Sequence, residues 1–123
     1  MLKMDSKFLP GVTISRMIIN NDFVELREKI ISKYREKTLL KELNDVNEID
    51  MLFQNAESFY VLYNHPVHEH KDLLSILDKI ELFNFIKSCF NEDDGGVDII
   101  VFDVDFNACL AGNHDGELFR VYF

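Results

Sequence analysis

Two short runs constrain this chain more than any other feature. Ser58-Phe59-Tyr60-Val61-Leu62-Tyr63-Asn64 and Val97-Asp98-Ile99-Ile100-Val101-Phe102 are crowded with aromatic and β-branched residues. Neither shows the strict polar–apolar alternation of a half-exposed strand. The first ends before His65-Pro66 and reads as a strand buried on both faces. The second is apolar on both faces in its middle and reads as a central strand. A hairpin is expected just after it, because Asn113-His114-Asp115-Gly116 separates the apolar runs 108–111 and 117–122, and both positions of an Asp-Gly turn tolerate φ > 0.

Elsewhere the spacing is helical. Asp22 and Glu25 form a capping-box pattern ahead of Phe23, Leu26, Ile30 and Tyr34, which predicts an amphipathic helix over 22–36. Asp45 and Glu48 repeat the device ahead of Ile49, Leu52 and Phe53, for a second helix ending near 55. From Lys71 to Phe90, Leu73, Leu77, Ile80 and Asn84 mark one row and further apolar residues fill much of the rest, which predicts one long helix lying across the sheet. Asn91 to Gly96 ends it, with Gly95 and Gly96 supplying the turn. Near the start, Phe8 to Ile19 contains a Pro-Gly turn signal and then β-branched residues, and reads as a short strand or extended arm. There is no repeat, linker or low-complexity tract in the 123 residues. The expectation is therefore a single α+β domain over 1–123, with N-terminal helices and one long central helix packed on a three- or four-stranded, largely antiparallel sheet.

The chain is 47% hydrophobic, with eleven Phe and four Tyr, which suits a folded core. It has no apolar run near the roughly 20 residues needed to span a bilayer, and its first residues lack a secretory h-region, so a cytoplasmic location is expected. Cys89 and Cys109 stand outside any C-x-x-C pattern and read as reduced core residues.

Charge is the other distinctive feature. The net charge is −9, from 22 acids and 13 bases. Residues 92–123 hold eight acids (Glu92, Asp93, Asp94, Asp98, Asp103, Asp105, Asp115, Glu117) and one base, Arg120, a net of −7. Residues 1–91, with 14 acids and 12 bases, contribute only −2. Nucleic acid and anionic membranes require lysine and arginine facing phosphates, so neither is an expected partner. A basic protein is. The plain alternative is that the acids only keep a small protein soluble.

Chemical motifs are sparse. His65, His68 and His70, with Glu69, could supply ligands for zinc or another transition metal, but their spacing matches no established signature, a fourth ligand would have to come from elsewhere, and a polar loop explains them without a metal. The D-x-D of Asp103 and Asp105 resembles the strand-end aspartates of haloacid-dehalogenase-type phosphatases. Only eighteen residues follow it, too few for the rest of that fold. The calcium-loop start D-x-D-x-N fails because Ala108 replaces the required glycine and His114 the closing Glu. No Gly-rich phosphate loop or G-x-S-x-G occurs, so neither a cofactor nor an enzymatic activity is expected. If the strand continues past Phe102, Asp103 and Asp105 share one exposed face, available to an incoming Lys or Arg, and Asp115 and Glu117 could extend that patch.

A small acidic α+β chain with an aromatic-rich core and the acid-laden stretch Val97 to Phe123 is similar in kind to bacterial immunity proteins, including those of contact-dependent growth inhibition systems. The resemblance implies binding and neutralising a basic cognate toxin, for example a nuclease. The expected contact residues, from their charge, are Asp93, Asp94, Asp103, Asp105, Asp115 and Glu117. A metal-binding protein or small enzyme built on His65, His68 and His70 is the alternative, as is a regulatory domain.

Overall fold

A computed structural model describes residues 20–45, 47–64, 72–90 and 98–123. The elements in chain order are α1 (Asn20–Arg35), β1 (Leu39–Glu42), α2 (Asn47–Leu52), β2 (Ser58–Asn64), β3 (Asp72–Asp78), α3 (Lys79–Cys89), β4 (Ile99–Asp103), β5 (Cys109–Gly112) and β6 (Leu118–Tyr122). The arm expected over Phe8–Ile19 lies outside the described residues.

The sheet corrects the sequence expectation. It has six strands, in the order β1-β6-β5-β4-β2-β3, rather than three or four. Every pairing is antiparallel. β2 and β4 lie inside it, as their two-sided apolar pattern predicts, with Val61 opposite Val101. β1 carries little core pattern, since all four of its residues are exposed. It belongs to the sheet through its pairing with β6, from Leu39–Tyr122 to Glu42–Phe119.

The long central helix is also corrected. The stretch expected to form it divides at Asp78 into β3, paired along β2 from Asn64–Asp72 to Ser58–Asp78, and the shorter helix α3. Asp78 is the pivot. Its backbone is extended, its side chain accepts from the Glu81 N–H at 2.8 Å, and Glu81 accepts from the Asp78 N–H at 3.0 Å. This reciprocal capping box satisfies two donors at the helix start and fixes where the strand stops.

Both sheet faces are covered. On one, Ile30 of α1 packs with Leu62, Leu74, Phe102, Cys109, Ala111 and Val121. On the other, Ile49 and Phe53 from the α2 segment and Leu82, Phe85 and Ile86 of α3 pack with Phe59, Val61, Tyr63, Leu77, Val101 and Leu110. Residues alternate between the faces with period two, so β2 supplies Leu62 to one core and Val61 and Tyr63 to the other. The rings meet edge to face in two places, Phe53 on Phe59 at 4.8 Å and Tyr63 on Phe85 at 5.2 Å. No helix among the described residues is long and apolar enough to cross a membrane.

Candidate docking surface

In an antiparallel meander successive connections fall at opposite ends of the sheet, and this separates the acids of the last quarter. The β4–β5 connection carries Asp103 and Asp105. The β5–β6 hairpin, beyond the four residues of β5, carries Asp115 and Glu117. The single patch expected from the sequence is therefore two. Asp93 and Asp94 lie outside the described residues, as do His65, His68 and His70. Among the described residues no three His, Cys, Asp or Glu side chains gather in a way that could hold a metal ion.

At the hairpin end, Gly116 has φ +89° and is the only glycine among the described residues with positive φ. The Gly116 N–H donates to the Asn113 carbonyl, and the Asn113 N–H to the Glu117 carbonyl, both at 3.1 Å. The connection is thus a three-residue loop with Gly in the left-handed position, a longer hairpin than the two-residue Asp-Gly turn expected. Asn113 Oδ1 accepts from the N–H groups of Asp115 and Glu117, and its amide donates to Glu117 Oε1 at 3.1 Å. The exposed His114 has Nδ1 3.3 Å from Asp98 Oδ1 and Nε2 3.7 Å from Asp115 Oδ1. The hydrogen bond to Asp98, followed by the charges of Asp115 and Asp98, raises the imidazole above its ordinary value of 6.5. Sequence reasoning missed this trio because Asp98 stands 16 residues away, across β4 and β5.

At the opposite end the strand does not continue to Asp105. β4 stops at Asp103, and residues 104–107 form a turn in which the Phe106 N–H donates to the Asp103 carbonyl at 2.9 Å. Asp103 is 4% exposed. Its Oδ1 accepts from the Asn107 N–H at 2.7 Å and the Ala108 N–H at 2.8 Å. Asp103 and Asp105 therefore do not share an exposed face. Asp103 closes the turn from within and Asp105 lies outside, exposed. Phe106 takes φ +57°, unusual for a bulky residue. Its ring is anchored against Phe102 at 4.9 Å and Tyr60 at 5.7 Å, with Lys29 Nζ 4.6 Å from its centroid. Beneath the turn, burial first and then the charge of Asp103 push the Cys109 thiol far above its usual range.

A groove runs between this turn and the segment joining α2 to β2. Asp103, Asp105, Gln54, Asn55 and Ala56 line it throughout. Glu57, Lys79 and Val104 border one stretch, Met51 and Arg120 the other. The Val104 N–H donates to the Ser58 carbonyl at 3.2 Å, tying the turn to the start of β2. Both cations are engaged, with Lys79 Nζ 3.8 Å from Asp50 and Arg120 4.9 Å from the centre of the Tyr122 ring. Comparison with protein-family models, curated proteins and solved structures finds no match for this chain.

Proposed function

We propose that this chain acts by binding a basic protein partner, in the manner of an immunity protein that neutralises a cognate toxin. The observation that carries this reading is the placing of the acid-rich quarter. Residues 98–123 fold as three adjacent strands, with Asp98 exposed just before β4, Asp105 exposed in the β4–β5 turn and Asp115 exposed in the β5–β6 hairpin. Carboxylates held on a rigid sheet rim keep their spacing, so a cationic partner meets a preformed field. Such fields accelerate encounter by roughly 10- to 1,000-fold and do so less as salt is added. A nuclease is a fitting partner, because a groove that attracts phosphates also attracts carboxylates.

The test is to express the product of the reading frame beside this gene, alone and together with the chain. Growth arrest relieved by co-expression, and a purified complex whose association slows steeply with salt, support the reading. A neighbour product that neither arrests growth nor binds the chain overturns the immunity role. A complex indifferent to salt overturns the electrostatic one.

A further inference from the structure

We infer that the groove between the α2–β2 segment and the β4–β5 turn receives an arginine side chain of that partner, an assignment that rests on the reading of this chain as a binder of basic proteins. The two ends of the sheet are not equivalent. At the hairpin end, Asp98 and Asp115 face His114 and Glu117 accepts from Asn113. At the groove end, neither Glu57 nor Asp105 has a side-chain partner among the described residues. Asp103, nine-tenths buried and lining the groove along its length, commits only Oδ1 to the turn. No partner for Oδ2 is found among the described residues.

The groove is also flanked by apolar surface. Met51 on its border is 76% exposed, and Val104 on the turn is exposed. Large side chains left in water around a recessed carboxylate have the make-up of an interface centre, where an anchor enters a pocket and its neighbours exclude solvent. Charge complementarity selects a cation as the anchor. Arginine fits better than lysine, because the guanidinium is weakly hydrated, tolerates apolar flanks and can bridge two carboxylate oxygens at once.

The experiment titrates the 15N-labelled chain with Nα-acetyl-arginine amide. The amides of Asn107 and Ala108, which donate to Asp103, and those of Gln54 and Asn55 are expected to shift saturably in the millimolar range, while Nα-acetyl-glutamate amide leaves them in place. Asp103→Asn keeps the acceptor for both N–H groups and removes the charge, and should weaken binding by about tenfold or more. Glu57→Gln with Asp105→Asn, both on exposed side chains, provides a variant with no demand on folding and should weaken it likewise. Absence of shifts, shifts unchanged in both variants, or shifts centred on residues 113–117 overturns the assignment. The complex with the neighbouring product separates the two ideas. If it persists with Asp105→Lys and Glu57→Lys but is lost with Asp98→Lys and Asp115→Lys, the groove is wrong and the basic-partner reading stands. If no complex forms, that reading falls, and the arginine titration judges the groove independently.

Discussion

Asp103 holds two backbone donors of the β4–β5 turn on one oxygen at a buried site. Removing the acceptor orphans both donors, and each buried unsatisfied donor costs about 1–3 kcal/mol. Asp103→Ala is therefore expected to destabilise the chain by about 2–4 kcal/mol in urea unfolding, and Asp103→Asn by clearly less, since an amide oxygen can take the same bonds. Equal losses for the two would mean that charge, and not the acceptor, matters. Gly112 has a different constraint. A Cβ placed there would lie 2.6 Å from Phe90 Cζ and 3.0 Å from Leu118 Cδ2. The Phe90 ring must move to admit it, so Gly112→Ala is expected to lower stability by about 1–3 kcal/mol. The second substitution Phe90→Leu should recover part of that loss, and a strictly additive double mutant would contradict the steric account.

At the scale of elements, the capping box at Asp78 decides where β3 ends and α3 begins. Asp78→Ala should cost about 1 kcal/mol in thermal or urea unfolding, as N-cap removals do. A neutral result would place the boundary elsewhere. The hairpin makes a pH prediction. The folded-state value of His114 is raised, so its contribution to stability is complete below the ordinary value of 6.5 and is lost as pH rises through the raised folded value. Titration of the His114 ring by NMR should give a midpoint above 6.5 that falls in Asp98→Asn. A midpoint unmoved by that substitution would contradict the hydrogen-bonded pair.

These elements also explain what the sequence makes legible. β2, β4, α1, α2 and the last hairpin are local patterns and can be read directly. The stretch from Leu73 to Leu77 is ambiguous, because an apolar run that short satisfies either period. The deciding signal is Asp78-x-x-Glu81, present in the sequence but hidden within an apparently continuous helix. β1 is a strand only because β6, about 80 residues later, pairs with it. The turn after β4 carries neither Gly nor Pro, and Phe106 adopts positive φ through ring contacts from α1, β2 and β4 that no local pattern encodes. For the same reason the burial of Asp103 was not legible, and with it the separation of the acids into two ends.

Across the whole molecule, one charge distribution acts on two equilibria in opposite directions. A net charge of −9 on 123 residues repels itself more strongly when the chain is compact than when it is unfolded. Salt screens that repulsion within a Debye length of about 10 Å at 0.1 M. Among the described residues, ion pairs such as Lys33–Glu36 and Lys79–Asp50 are solvent-accessible and worth at most about 1 kcal/mol each, so their screening offsets little of this. The isolated chain should accordingly unfold at a higher temperature as sodium chloride is raised from about 0.05 to 0.5 M. Over the same range, its association with a cationic partner should slow by about tenfold or more. Thermal unfolding and stopped-flow association, run in the same buffers, measure the two responses. Opposite signs are expected if the acids repel one another within the fold and attract across the interface. A melting temperature that falls with salt would show that the acids are compensated within the folded chain, leaving no unbalanced field to steer a partner.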